Sequence, residues 1–134
     1  MVCALAAWVG FDRDRAFYPV LLIIIASYYV LFAVIGGDRH ALLIETTIMV
    51  AFVVVALAGF SRSLWLVVMA LAAHGIMDEF HAALVTNPGV PAWWPSFCLA
   101  FDITAATYLG WVIRGEGRPL QPTLETLPPL PPEA

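Results

Sequence analysis

Five ionisable side chains lie inside hydrophobic stretches of this 134-residue chain, where charge is rarely tolerated. They are Glu45, His74, Asp78, His81 and Asp102. Imidazoles and carboxylates together can ligate a first-row metal ion, such as zinc or iron, through nitrogen and oxygen atoms. The same groups can also transfer protons without a metal. A third interpretation is structural, because acids and imidazoles that only pair with each other would fix the register of neighbouring helices.

The segment HGIMDEFH places three of these side chains on one helical face. His74, Asp78 and His81 stand at positions i, i+4 and i+7, within an arc of about 60° at 3.6 residues per turn. If a metal is bound, we therefore expect these three side chains among its ligands. Small residues follow Asp102 at helical spacing and would let a neighbouring helix approach closely. Asp102 is therefore the expected fourth ligand.

Glu45 is predicted to lie closer to the membrane surface than Asp102. At 1.5 Å per residue it is about 6 Å from the end of its hydrophobic stretch, against about 9 Å for Asp102. A carboxylate nearer the mouth of a metal site can hydrogen-bond to a side chain that ligates the metal and so hold its orientation. It can also act as a general base. We therefore predict the general-base role for Glu45.

Four apolar stretches are each long enough to cross a bilayer core of about 30 Å as a helix. None shows the strict alternation of a barrel strand. The predicted spans are residues 16–36, 41–60, 62–84 and 96–113. Short connections make neighbouring helices antiparallel. Counted along these helices, the five ionisable side chains, with Tyr28 and Tyr29, all fall in the same half of the bilayer.

Composition indicates a membrane protein. Hydrophobic residues make up 62% of the chain and charged residues 12%, against about 45–50% and 25% in soluble proteins. The six basic residues are all arginine and the net charge is −4, so no basic patch for nucleic acid exists. Cys3 and Cys98 are too few for a disulfide scaffold. We predict an all-α fold, an integral membrane four-helix transmembrane bundle.

The chain divides into three predicted regions. Residues 1–15 form an apolar stub and a charged segment, and the stub is either interfacial or the remnant of a further N-terminal helix. Residues 16–114 form the transmembrane domain. Residues 115–134 hold a proline-rich tail that is predicted to be disordered.

The arginines predict the orientation in the membrane. Five of them fall on one side of the predicted spans and Arg39 falls on the other. The positive-inside rule then places both termini in the cytoplasm. The loop 87–95 would face outward, and its Asn87-Pro88-Gly89 turn and further prolines predict a structured lid. An aromatic belt formed by Trp93 and Trp94, without gating, is the alternative.

The motif HGIMDEFH, the loop NPGVPAWWPSFC and Asp102 together resemble the signature of an uncharacterised family of small bacterial multi-pass membrane proteins. The resemblance covers residues 12–113 and implies an integral protein of the bacterial inner membrane, without an established activity. That family begins with one more hydrophobic segment, to which residues 1–10 would correspond. In type of site only, the chain is similar to zinc-dependent membrane hydrolases and to sterol-isomerase-like four-helix proteins.

Two classes of function remain open from the sequence. The first is a metal-dependent membrane enzyme, such as a hydrolase, which acts on a lipid or another apolar substrate. The second is a module without enzymatic activity: a proton-linked bundle, a binder of a small apolar ligand, or a subunit of a membrane complex. Bound zinc or iron would favour the first class.

Overall fold

The structure is a computed structural model that describes residues 8–10, 12 and 14–115. Within residues 14–115 it is all-helical. Its helices are α1 (Phe17–Gly36), α2 (Arg39–Ser61), α3 (Leu64–Glu79), α4 (His81–Leu84) and α5 (Trp94–Ile113). Cys3, most of the N-terminal stub and nearly all of the proline-rich tail lie outside the described residues. What the sequence predicts for them stays a prediction.

Three helices, α1, α2 and α5, are long and apolar enough to cross a membrane. Large apolar side chains on the outside of the bundle are left uncovered; Leu43 and Met69, for example, are each about two-thirds exposed. An apolar exterior of this extent is expected where lipid replaces water as the solvent. These features support a membrane protein. α3 has 16 residues, fewer than the ~20 that a bilayer core requires, so three of the described helices, and not four, have the length and composition of a membrane span.

The third predicted span, 62–84, is not a single helix. α3 ends at Glu79, Phe80 has φ −97° and ψ 3°, and α4 is one turn that begins at His81. Hydropathy is continuous across this stretch and does not show the break. The break accompanies contacts that His81 makes with α1 and α2, which are distant in sequence and so invisible to a periodicity argument.

Short, capped turns join the first three helices and make them antiparallel, as predicted. Gly37 adopts φ 69°, the left-handed conformation that closes many helices, at the end of α1. The carboxylate of Asp38 accepts hydrogen bonds from the backbone N–H groups of His40 and Ala41 at 2.8 and 3.0 Å, and so caps α2. Ser63 caps α3 in the same way.

The helix pairs α3–α5 and α1–α2 make the most extensive contacts in the bundle. An apolar core fills the half of the bundle that contains the start of α1 and of α3. Its largest fully buried side chains are Tyr18, Leu22, Val67, Leu71 and Leu109. The five buried ionisable side chains named above lie in the other half of the bundle. The apolar core therefore separates them from the end of the bundle at which α3 begins.

The loop between α4 and α5 is packed against the helices. A Cβ atom at Gly89 would overlap the carbonyl oxygen of Phe32, and one at Gly36 would lie 2.8 Å from the backbone nitrogen of Gly89. The amide of Asn87 donates a hydrogen bond to the carbonyl oxygen of Tyr29 at 3.1 Å. The loop is therefore structured, as predicted. Whether it opens as a lid stays a prediction.

Candidate metal centre

Three of the predicted site residues meet at the interface of α3 and α5. His74 Nδ1 lies 2.8 Å from Asp102 Oδ2 and 3.3 Å from Asp78 Oδ2. All three side chains are fully buried. One possible ligand atom from each residue lies within 4.8 Å of the others. Atoms that ligate one ion at about 2.0–2.2 Å are up to about 4 Å apart, so only a small contraction would let this group hold an ion.

A glycine brings the two helices together at this level. A Cβ atom at Gly75 would lie 3.0 Å from Asp102 Cβ and 3.3 Å from the Cα atom of Leu99. The sequence predicts that the small residues after Asp102 on α5 let the two helices approach closely. In the structure the closest approach is instead at Gly75 on α3, the residue after His74. The glycine inside HGIMDEFH is the signal that could have located it.

Four buried polar atoms of this group have no hydrogen-bond partner among the described residues. They are His74 Nε2, Asp102 Oδ1 and both carboxylate oxygens of Asp78. His74 Nδ1 makes its hydrogen bond to Asp102, and Asp78 has only the longer contact with His74 and electrostatic interactions with the Tyr29 hydroxyl and the Cys98 thiol. An unsatisfied buried polar group costs about 1–3 kcal/mol, and an unpaired charge costs more. Such a group is therefore expected to bind either a cation or a proton.

The two remaining predicted residues, Glu45 and His81, form a separate buried pair. His81 Nε2 lies 2.7 Å from Glu45 Oε1. The side-chain amide of Asn87 donates a second hydrogen bond to the same oxygen at 3.0 Å. The sequence groups His81 with His74 because it assumes a continuous helix. The break at Phe80 instead places His81 against α2, outside the group of three.

Tyr29 of α1 connects the two groups. Its ring stacks on His81, with ring centroids 4.1 Å apart and an angle of 23° between the planes. The same ring lies 6.3 Å from that of His74, and its hydroxyl is close enough to Asp78 for an electrostatic interaction. The sequence predicts the depth of Tyr29 but no role for it. Asn87 was predicted only as a turn residue, since an Asn before Pro-Gly is ordinary turn chemistry.

Cys98 and Trp94 complete the surroundings of the site. Cys98 is a buried free thiol, and its sulfur interacts with the Asp78 carboxyl group. Trp94 packs against Tyr28 and Phe32, with ring centroids 4.9 and 5.0 Å apart. Of the two tryptophans expected at the membrane surface, Trp93 alone is largely exposed.

Comparison of the chain with protein-family models, curated proteins and solved structures finds no match. The resemblance of its motif to the small bacterial membrane proteins therefore stays a prediction. Any function has to be argued from the chemistry of the two buried groups.

Substitution of Gly75 tests how the three site residues are assembled. In Gly75→Ala the added methyl group lies 3.0 Å from Asp102 Cβ and 3.3 Å from the Cα atom of Leu99, so α5 has to give way by a few tenths of an ångström. We expect the variant to be less stable by roughly 1–3 kcal/mol, the usual cost of overpacking. Thermal unfolding in detergent, followed by circular dichroism, measures this.

Gly110→Ala on α5 is the matched control. Its methyl group would lie 3.7 Å from the nearest atom of Trp65, an ordinary contact. Alanine also favours a helix over glycine, so the unfolding temperature of this variant should stay level or rise. Equal unfolding temperatures for the two variants would contradict the assembly described above.

Proposed function

We propose that this chain is a multi-pass membrane protein that binds one divalent first-row metal ion, zinc or iron, through His74, Asp78 and Asp102. The observation that carries the proposal is the buried Asp78 carboxylate, which has no hydrogen-bond partner among the described residues and lies beside two further ligands. One imidazole and two carboxylates form a nitrogen and oxygen donor set that suits both metals.

Charge balance supports a divalent cation. With neutral imidazole, the carboxylates of Asp78 and Asp102 carry two negative charges, and a divalent ion cancels both. With both carboxylates ionised and no cation, even a protonated His74 leaves the group of three with one excess negative charge. That charge would lie between apolar helices, where it costs roughly 3 kcal/mol or more. Glu45 and His81, by contrast, are paired with each other.

A bound ion would supply Lewis-acid chemistry of the kind that a membrane hydrolase requires. The residues around it would supply the proton transfer. Glu45 holds His81 at 2.7 Å, and Asn87 fixes the orientation of Glu45. In this arrangement Glu45 and His81 act as one proton-transfer pair. The general-base role that the sequence predicts for Glu45 alone is then shared with His81. The substrate would be a lipid or another apolar molecule that enters between the helices.

We further propose that α3 and α4 together form the fourth transmembrane segment. They extend from Leu64 to Leu84 with the interruption at Phe80. Irregular backbone at membrane depth is tolerated where it is enclosed by protein, and His81 directly after the interruption is buried. The proposed location is a bacterial inner membrane.

A metal-free proton-transfer site is the second candidate function. The 2.8 Å hydrogen bond between His74 and Asp102 favours it, since an imidazole between two carboxylates can hold and release a proton. In that case one of the two carboxyl groups would be protonated. The two functions differ in metal content.

Metal analysis of the full chain, purified in detergent and incubated with zinc or ferrous iron, tests the proposal. Elemental mass spectrometry should find about one ion per chain. His74→Ala and Asp78→Asn should each lower the metal affinity by more than the 10–100-fold typical of residues that only support a ligand. Full retention of metal by His74→Ala, or no retention by the natural sequence, would contradict the proposal.

Two further variants separate this arrangement from one in which His81 is a ligand. His81→Ala and Glu45→Gln should each keep the metal, because the pair lies outside the group of three. Glu79→Gln, which changes an exposed acid on the same helix, is the control for a general charge effect. Loss of the metal in His81→Ala would contradict the separation of the two groups.

Cysteine labelling tests the proposed orientation. In a variant with Cys3 and Cys98 replaced by serine, Val90→Cys and Ala134→Cys each introduce a single thiol. The arginine asymmetry predicts that a membrane-impermeant maleimide labels the first from outside intact cells and the second only after lysis. The opposite pattern would reverse the orientation.

A further inference from the structure

The outer face of α3 and α5 carries an apolar groove of about 440 Å³. It extends over about 10 Å of α3, from Trp65 to Ala72, and is bounded on the other side by Ile103 and Gly110. The hydroxyl group of Thr107 also borders it, but this hydroxyl donates to the backbone of its own helix. The groove therefore has the volume and polarity for a hydrocarbon chain.

A basic recess adjoins one end of the groove, at Trp65. The recess has a volume of about 410 Å³ and is lined by Arg15 and Arg62, with Trp65 shared between it and the groove. Arg114 lies at the mouth of the groove, with its guanidinium carbon 5.7 Å from the centre of the Trp65 ring. We call this the arginine end of the bundle, defined by Arg15, Arg62 and Arg114.

These arginines are available to an external anion. Neither Arg62 nor Arg114 forms an ion pair with a carboxylate within the described part of the chain. Arg15 donates a hydrogen bond through Nε to the carbonyl oxygen of Phe60 at 2.9 Å. This bond fixes the orientation of the guanidinium group, which keeps its positive charge. Positive charge is thus held next to an apolar groove.

The two acidic residues that the structure describes at this end, Asp12 and Asp14, do not neutralise the recess. Asp12 accepts a hydrogen bond from the hydroxyl of Tyr108 at 2.9 Å. Asp14 accepts one from the backbone N–H of Ala16 at 2.8 Å. Neither acid lines the groove or the recess. The two cavities therefore combine unpaired cations with an apolar channel.

We infer that the groove and the recess bind one anionic phospholipid, with an acyl chain along α3 and α5 and the phosphate among Arg15, Arg62 and Arg114. Basic pockets between transmembrane helices bind anionic headgroups on the cytoplasmic side of membranes, the side on which the arginine asymmetry places this end. A zwitterionic lipid would bring its own cation to the arginines. Free phosphate would leave the groove unfilled.

Native mass spectrometry of the full chain in detergent tests the inference. Phosphatidylglycerol and phosphatidylcholine with identical acyl chains are offered at equal concentrations. We expect one retained phosphatidylglycerol per chain and at least tenfold less phosphatidylcholine. Each arginine near an anionic surface contributes about fivefold to binding, so Arg62→Gln with Arg114→Gln should weaken phosphatidylglycerol binding roughly 25-fold.

Matched variants separate the headgroup from the acyl chain. Arg39→Gln, at the opposite end of the bundle, should leave binding unchanged, and Arg62→Lys with Arg114→Lys should retain most of it. Ala72→Phe fills the groove and should abolish lipid retention, whereas Ala73→Phe changes the exposed neighbour outside the groove and should retain the lipid.

Four results would overturn the inference. The first is equal retention of the two lipids. The second is displacement of phosphatidylglycerol by millimolar inorganic phosphate, which would indicate a free-anion site. The third is a dimer in the natural sequence that becomes monomeric in Ala72→Phe, because a second copy of the chain would then fill the groove. The fourth is unchanged phosphatidylglycerol binding in the double glutamine variant.

Discussion

The need to satisfy buried charge between apolar helices is the constraint on which the rest of this structure depends. Three carboxylates and two imidazoles have almost no contact with solvent, on helices whose outer surfaces are uncovered and apolar. In such surroundings each charge needs a partner. Glu45 and His81 find one in each other, at 2.7 Å. The contacts of Asp78 and Asp102 with His74 leave carboxylate oxygens unpaired within the described residues, and this deficit is the basis of the proposed metal site.

Three local features of the backbone position these buried side chains. Gly75 allows α5 to bring Asp102 next to His74. The break at Phe80 turns His81 towards Glu45. The loop before α5 contributes Asn87, which holds Glu45 and the backbone of Tyr29 together. A change in one of the two groups is therefore expected to reach the other through Tyr29, whose ring contacts both imidazoles.

The sequence predicts most of the helices, and which buried side chains meet, better than it predicts how those side chains are divided. Hydropathy and short turns locate α1, α2 and α5 to within two residues, and helical spacing with depth brings His74, Asp78 and Asp102 together. The separation of His81 was not predictable, because it depends on a break that hydropathy does not mark. The role of Asn87 was not predictable either, since its partner Glu45 is 42 residues away and a turn explains an Asn-Pro-Gly segment equally well.

X-ray absorption spectroscopy of the zinc-loaded protein shows directly which atoms surround the ion. We expect a coordination shell of nitrogen and oxygen atoms at about 2.0–2.2 Å, with the multiple-scattering signature of one imidazole. We expect no sulfur at about 2.3 Å, because the thiol of Cys98 lies outside the group of three ligands. A sulfur shell, two imidazoles, or a spectrum unchanged by Asp78→Asn would contradict the assignment of the site to His74, Asp78 and Asp102.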